Sequence, residues 1–545
     1  MLDGNATVCP ERDALIVRHQ NLRYTWSQLH RQAEQAARGL LRLEVGKGDR
    51  VGIWATNCAE WVVLQFATAK LGAILVNINP ANRAFELEYV LRQSECQTLC
   101  LGQGFRDCDY LETLSSVCPE FRHCPRHQLH SEKLPHLCNV VFLGTPPAPD
   151  WSWTWQDLLQ MAEGVPEREL RQREAALDCQ DPINIQYTSG TTGMPKGATL
   201  SHYNIVNNAS FIAAALKFTA EDRLCIPVPF YHCFGMVLSN MACTMTGAAM
   251  IIPAAFFDPL ETLRAVAEER CTALHGVPTM FIAQLGHPEF SRFDLSRLRT
   301  GIMAGSPCPI EIMKRVMREM HLSQMTIAYG LTEASPVITQ TTTDDPIELR
   351  VTTVGKALPH TEVKIIDVGT AELVPMGTPG ELCARGYMVM KGYYRNPEAT
   401  RAAITEDGWL HTGDLATMDA QGYFKITGRA KDMIIRGGEN IYPREVEEFL
   451  FTCPGISEVQ VVGVPDLKYG EQVVAWVKLA EGARLTQEDI QEFCAGKIAS
   501  YKIPRHIKLV DRFPLTVTGK VQKFRMREIS IEELKLQEAA KIETA

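Results

Sequence analysis

The sequence predicts an α/β protein, with a large amino-terminal domain of packed α/β sheets plus a β-rich subdomain and a small carboxy-terminal α+β domain. Three observations carry this. Short β-rich apolar runs alternate with helical patterns through most of the chain, as βαβ units and parallel sheets require. Beyond residue 350 the texture changes to antiparallel-looking strands and turns. Beyond Gly428 a compact set of mixed helices and strands follows.

The elements run in order. A strand over 50–54, a helix over 60–71, a strand over 73–77 and a helix over 84–93 give a first alternating series. A second series has strands at 273–277, 300–305 and 325–330, with helices from Pro278 and over 309–320, so more than one parallel layer is implied. Segments 361–367 and 380–386 read as antiparallel strands. The short, charged, glycine-led segment 428–432 is the expected boundary, giving a large domain over 1–428, a hinge over 429–432 and a small domain over 433–545. In the last of these, helices over 444–451 and 487–499 flank strands over 459–464 and 473–479.

Composition narrows the function classes. In 545 residues, 46 % are hydrophobic and 22 % charged, which excludes a disordered tail protein, a collagen-like fibre and a polytopic membrane protein. A net charge of −9 offers no broad basic footprint for nucleic acid, so a polyanionic ligand has to be met locally. Seventeen cysteines, scattered from Cys9 to Cys494 with no Cys-x-x-Cys pair, fit a reducing compartment, and the first residues carry no export or organelle signal. The expected location is cytoplasmic. Residues 224–257 lack Asp, Glu, Lys and Arg, yet Pro227, Pro229 and Pro253 interrupt them, so they read as strand, loop, helix and strand in a core rather than as a membrane span.

The most informative segment is Tyr187-Thr-Ser-Gly-Thr-Thr-Gly-Met-Pro-Lys-Gly197, with four aliphatic hydroxyls, three glycines and one lysine. Hydroxyls and bare backbone N–H groups on a flexible loop suit a polyphosphate, and a lysine adds point charge. A Walker A loop it is not, since the Gly-Lys-Ser/Thr terminus is missing.

This loop resembles the phosphate loop of the adenylate-forming superfamily of acyl-CoA synthetases, luciferases and peptide-synthetase adenylation domains. Further segments are similar to that family's motifs in its order: Phe230-Tyr-His-Cys-Phe-Gly235, Ala304-Gly-Ser-Pro307, Ala328-Tyr-Gly-Leu-Thr-Glu333, Trp409-Leu-His-Thr-Gly-Asp414, the run 428–440 and Pro514-Leu-Thr-Val-Thr-Gly-Lys520. The resemblance spans nearly the whole chain. Through 181–186, 200–208 and 431–443 it lies nearest the mitochondrial medium-chain acyl-CoA synthetase branch and its bacterial relatives.

The resemblance implies an ATP- and Mg²⁺-dependent ligase that joins a fatty acid, medium-chain by this likeness, to coenzyme A through an acyl-adenylate, with the small domain mobile. Thr188, Ser189, Gly190, Thr191, Thr192 and Lys196 would grip the phosphates and Thr332 the α-phosphate, while Glu333 would hold Mg²⁺. Gly305, Ser306, Tyr329 and Gly330 would frame adenine, Asp414 and Arg429 the ribose, and His232 would close the pocket over the carboxylate or line the path of the thiol. Lys520 would be the catalytic lysine and Lys431 the hinge; Gly437, Gly438, Ser500, Tyr501 and Lys502 would meet coenzyme A. Read without the resemblance, Glu333 and Lys520 fit solvated residues, Tyr329 and His232 packed ones, and Asp414 with Arg429 an ordinary ion pair.

Alternatives within the superfamily are a fatty acyl-AMP ligase and an aryl or other carboxylate-CoA ligase; another is a catalytically silent lipid-binding homologue, disfavoured by the joint presence of Thr332, Glu333, Asp414 and Lys520. Expected partners are small-molecule substrates, without nucleic acid or a transmembrane segment, with room for peripheral membrane contact and a homodimer. A cluster of Cys and His from Cys118 to Cys138 matches no zinc template by its spacing, so no structural zinc is expected there.

Overall fold

In the computed structural model, residues 1–145, 147–188, 194–306, 308–436, 439–466, 469–495, 497–498, 500–516 and 521–537 are described, apart from the side chains of residues 431, 439 and 440. The chain divides into two compact units, one formed by Met1–Glu362 and Ala384–Leu410 and the other by Val363–Cys383 and His411–Ala545.

The first unit contains both parallel layers that the alternating pattern predicts. One sheet has nine strands, in the order Lys356–Ala357, Val337–Gln340, Gln324–Gly330, Thr300–Ala304, Ala273–Leu274, Arg223–Cys225, Ala249–Ile252, Asp13–Val17 and Leu22–Thr25. The six strands from Gln324–Gly330 to Asp13–Val17 pair in parallel, and antiparallel strands finish both edges. The second sheet runs Gly392–Tyr393, Lys196–Ser201, Pro182–Thr188, Ile74–Asn77, Arg50–Trp54, Thr98–Leu101, Asn139–Phe142 and Trp153–Thr154. Its first two pairings are antiparallel and the rest parallel.

One core cluster draws on both sheets and on the helices Trp26–Arg42, Ala59–Leu71 and His202–Ala215. Helix Ala59–Leu71 is buried on nearly every side, as its mostly apolar sequence allows, with Lys70 paired to Asp3 and Glu174, and it stops at Gly72 in the left-handed conformation. Helix His202–Ala215 begins at a capping box in which the Ser201 hydroxyl accepts from the Asn204 N–H and the Asn204 side chain accepts from the Ser201 N–H.

The charge-free stretch folds as strand, loop, helix and strand. Its helical part is Cys233–Gly235, a π-helical turn Met236–Met241 and Ala242–Thr246, ending at Gly247 with φ +79°. The π turn is a local register change that apolar periodicity does not encode. Among the described residues no helix is long and apolar enough to cross a membrane.

In the second unit, strands Glu439–Ile441, Ile434–Arg436, Gly470–Leu479 and Ile456–Asp466 form one sheet, with His506–Leu509 paired in parallel to Gly470–Leu479. Strand alternation sends Val459, Val461, Val473, Ala475 and Val477 to a core with Leu450 and Ile490, and Val462, Val464, Val474 and Trp476 to another with Met526. The helix expected over 487–499 closes earlier, as Gln487–Cys494: Ala495 already has ψ 128°, and Gly496 follows in the sequence. Strands Thr361–Ile366, Gly380–Gly386 and Leu410–Met418 each carry the chain from one unit into the other.

Candidate active site

Parallel strands bring their carboxyl ends to one edge of a sheet, where α/β proteins bind ligands. Four such ends in the nine-stranded sheet lead into predicted site residues or beside them. Cys225 leads through a loop to His232, Leu274 to His275, Ala304 to Gly305 and Ser306, and Tyr329 with Gly330 to Thr332 and Glu333. Gly305 turns the chain at φ +87°. At Gly330 a Cβ would lie 1.8 Å from the carbonyl oxygen of Pro336, so only glycine fits.

Glu333 lies in the short 3₁₀ turn Thr332–Ala334 and is 9 % exposed. Its Oε1 accepts hydrogen bonds from the Tyr393 hydroxyl at 2.8 Å and the Thr188 hydroxyl at 3.5 Å. Thr188 ends the strand Pro182–Thr188 and pairs with Lys196 across the mouth of the phosphate-loop hairpin. The Lys196 ammonium sits 5.2 Å from the centre of the Tyr393 ring, a cation–π distance. Burial, and then the Glu333 charge, push the Tyr393 phenol up, so at neutral pH it remains a donor to the carboxylate. The same two causes raise the Cys233 thiol, which places the residue after His232 within electrostatic reach of Glu333. Two sheets thus bring Thr188, Lys196, Tyr393 and Glu333 together.

Of the remaining loop residues predicted to hold phosphate, Ser189, Gly190, Thr191 and Thr192 lie outside the described residues. His232 is half-buried on the turn before Cys233–Gly235, with its ring 4.2 Å from that of Tyr231.

In the second unit Asp414 and Arg429 face each other on antiparallel strands, with Arg429 Nε 3.1 Å from Asp414 Oδ1. Asp414 is buried and Arg429 largely exposed. The turn that carries Asp414 is fixed by Glu381, whose Oε1 accepts from the Gly413 N–H at 2.9 Å and whose Oε2 lies 3.0 Å from His411 Nδ1. Ser500, Tyr501 and Lys502 form a 3₁₀ turn, with the Lys502 ammonium donating to Glu445 and 5.7 Å from the Tyr501 ring. Lys431 lies in the 3₁₀ turn Ala430–Asp432; Gly437, Gly438 and Lys520 lie outside the described residues. Other basic groups of this unit are already engaged: Lys508 with Glu533, Lys523 with Glu447, Arg525 with Glu528 and Arg527 with Glu471.

Sequence reasoning missed Tyr393, which stands in a tyrosine doublet with no catalytic spacing and meets Glu333 only through the sheet edge. It also missed Glu381, whose role depends on pairing across thirty residues. Among the described residues, Glu381, Cys383 and His411 are the one set that a metal ion could join, with ligand atoms within 4.8 Å of one another. Their mutual hydrogen bonds account for that approach. In the Cys118–Cys138 segment, Cys118 is buried among Phe121, Leu129 and Leu134 and burial pushes its thiol up to about 11, while Cys124 and Cys138 donate to backbone carbonyls.

A hydroxyl- and lysine-bearing hairpin set against a buried carboxylate at the carboxyl edge of a parallel sheet suits a phosphate-bearing ligand. The AMP-binding enzyme model matches residues 2–394 and the AMP-binding enzyme C-terminal domain model residues 445–520, and the chain belongs to this family. It is 52 % identical over 532 residues to YngI of Bacillus subtilis (strain 168), named as an acyl-CoA synthetase, covering 98 % of this chain and 96 % of that protein. It is 44 % identical over 538 residues to the mitochondrial medium-chain acyl-CoA ligase ACSF2 of Homo sapiens, covering 97 % and 86 %. Among solved structures, ATP-bound MatB from Rhodopseudomonas palustris superposes with a TM-score of 0.82 at 28 % identity, over 98 % of this chain and 99 % of that one.

Proposed function

We propose that this enzyme is an AMP-forming acyl-CoA ligase acting on medium-chain fatty acids in the cytoplasm, with ATP and coenzyme A as co-substrates. The observation that carries the ATP-dependent step is the buried Glu333 carboxylate, held by Tyr393 and Thr188 at the root of the phosphate loop. The names of the relatives carry the acid and the thiol.

In the first half-reaction a carboxylate oxygen attacks the α-phosphorus of ATP, the bond to the β-phosphate oxygen breaks, and pyrophosphate leaves. In the second, the thiol sulfur of coenzyme A attacks the acyl carbonyl carbon, AMP leaves, and the thiol proton passes to water. Displacement at phosphorus asks a protein chiefly for positioning and charge neutralisation. Thr188, Thr332 and Lys196 supply donors and charge to the phosphates, with Ser189, Gly190, Thr191 and Thr192 completing the loop. Gly305, Ser306, Tyr329 and Gly330 frame the adenine, and Asp414 with Arg429 holds the ribose. The Asp414 carboxylate accepts from the sugar hydroxyls. His232 closes the carboxylate pocket.

The oxygen-rich donor set around Glu333 fits Mg²⁺, a hard cation that shares phosphate oxygens and keeps water, and this ion would neutralise charge on the leaving pyrophosphate. Tyr393 then has a definite part: its hydrogen bond fixes which way the carboxylate faces. Hydrogen bonds to charged groups contribute ~1.5–3 kcal/mol, so Tyr393→Phe is expected to raise the KM for Mg·ATP by ~10-fold or more and leave the fatty-acid KM unchanged. Steady-state titrations of each substrate check this; equal changes in both KM values count against the assignment.

Chain length is the direct test. Each buried CH₂ contributes ~0.8 kcal/mol, so kcat/KM for pyrophosphate release should climb from butyrate toward acids of roughly C6 to C12 and then level. Acetate or benzoate as best substrate would remove the medium-chain assignment and favour an aryl or short-chain ligase. Turnover that stops at acyl-AMP would favour a fatty acyl-AMP ligase.

A further inference from the structure

No step derived above uses the helix Ala84–Gln93, yet it holds both roots of the phosphate loop. Leu87, Val90 and Leu91 bury one side of this helix in the core that also takes Trp54 and Leu99. Tyr89 and Gln93, four residues apart, share another face. The two roots of the loop are Tyr187 and Pro195, with seven residues between them in the sequence.

Tyr89 serves the second root. Its hydroxyl donates to the carbonyl oxygen of Pro195 at 2.9 Å. A proline has no N–H, so the carbonyl is the backbone group by which Pro195 can be held, and Lys196 follows directly. Gln93 serves the first root, its Oε1 accepting from the Tyr187 hydroxyl. The Tyr187 ring stands edge-on to that of Tyr89, with centres 6.4 Å apart and planes at 76°. It also lies against Gly197 of the facing strand, where a Cβ would come 3.3 Å from Tyr187 Cζ and 2.8 Å from Ile185 Cγ2. The other end of the Gln93 amide, Nε2, donates to the Tyr394 carbonyl at 2.7 Å. The Tyr394 N–H in turn donates to the Gly197 carbonyl at 2.7 Å, and its neighbour Tyr393 holds Glu333. Burial raises the phenols of Tyr89 and Tyr187, so both remain protonated donors at neutral pH.

We propose that Tyr89 and Gln93 are positioning residues for the nucleotide step: together they hold the two roots of the phosphate loop, and Gln93 ties that loop to the strand carrying Tyr393. The inference rests on the proposed function and deepens it, since it concerns how the triphosphate of that reading is gripped. Ordering a glycine-rich loop around a ligand costs conformational entropy for every residue fixed. Fixing both ends beforehand lowers that cost, and the ligand gains the difference as affinity. Because one helix holds both ends, the two arms cannot drift apart independently, and Lys196 keeps its place opposite Thr188. In the proposed site Thr332 meets the α-phosphate and the loop meets the phosphates beyond it. Tyr89 and Gln93 therefore act on ATP and not on AMP, which lacks those phosphates.

Tyr89→Phe keeps the ring against Tyr187 and removes one hydrogen bond; Gln93→Leu keeps most of the bulk and removes two. The Kd values for Mg·ATP and for AMP are measured by calorimetry on the full chain, alongside fatty-acid-dependent pyrophosphate exchange. The net contribution of one hydrogen bond corresponds to roughly 3- to 10-fold in affinity. Tyr89→Phe should therefore weaken Mg·ATP by that factor and Gln93→Leu by ~10- to 100-fold, with AMP affinity held within about twofold of wild type. In the exchange reaction kcat/KM for Mg·ATP should fall by the same factors at an unchanged KM for the fatty acid. Equal weakening of Mg·ATP and AMP in the folded variants would make both residues merely structural and overturn the proposal, and so would an unchanged Mg·ATP affinity. Should Gln93→Leu fail to fold, Tyr89→Phe decides by itself. Wild-type protein that binds Mg·ATP yet releases no pyrophosphate with any fatty acid overturns the proposed function, while the Kd values still decide the roles of Tyr89 and Gln93.

Discussion

Lys520→Ala is expected to abolish most acyl-adenylate formation, measured as pyrophosphate exchange, while thioester formation from supplied acyl-adenylate and coenzyme A stays nearly intact. In the reading proposed above, Lys520 of the small domain brings a full positive charge to the carboxylate and α-phosphate as negative charge builds there. Removing a contact of that type costs ~3–4 kcal/mol, or ~10²- to 10³-fold in rate. Gly438→Leu should do the reverse, because a branched side chain would occupy the path of pantetheine without touching ATP. The pair tests alternation of the small domain about Lys431 between two half-reactions. If each folded variant lost both half-reactions equally, alternation would be the wrong mechanism.

A second large effect is expected in stability against pH. His275 is fully buried, and burial lowers its pKa from the ordinary 6.5 to about 3. The Ser239 hydroxyl donates to the carbonyl of Phe234, so it accepts from His275 Nδ1–H at 3.1 Å. That leaves Nε2 bare, without a partner among the described residues, beside the rings of Phe218 and Phe234. A proton on Nε2 would be a desolvated charge with nothing to receive it.

Because the folded pKa is depressed, the unfolded chain binds more protons between pH 6.5 and 3, and stability falls as pH falls through that window. One proton corresponds to ~1.4 kcal/mol per pH unit, so roughly 2 kcal/mol should be lost between pH 6.5 and 5. His275→Asn keeps a donor for Ser239 and cannot titrate. The stability difference between wild type and variant, from urea unfolding of the transition reporting the large unit, should therefore shrink by about that amount from pH 7.5 to 5. A difference that does not change with pH refutes the buried neutral imidazole.

Fold and family were legible because both rest on local signals. The alternation of 50–77 and 273–330 reports burial on both faces of parallel strands, and glycine, hydroxyl and lysine at fixed offsets report a phosphate loop. Proline and glycine in 224–257 were enough to reject a membrane span, though not to foresee the π turn at Met236–Met241. What escaped is set by distant partners. Glu333 stands in a recognisable motif, but the tyrosine that orients it follows sixty residues later. Gln186 looks like an ordinary polar residue of a strand until Met236, fifty residues later, is placed beside it.

The edge strand Gly392–Tyr393 has a consequence for synthesis. It completes the eight-stranded sheet by pairing Tyr393 with Ala198, and it brings the hydroxyl that holds Glu333. Tyr393 follows Ala198 by 195 residues. A ribosome adding ~5–20 residues per second needs roughly 10–40 s to bridge that interval. Throughout it, the strand Lys196–Ser201, root of the phosphate loop, has an unpaired side, the kind of edge that recruits foreign strands. The nascent chain therefore cannot finish the setting of Glu333 until the segment after the first excursion into the second unit has emerged, and truncation between residues 334 and 391 leaves both the sheet edge and Glu333 without Tyr393.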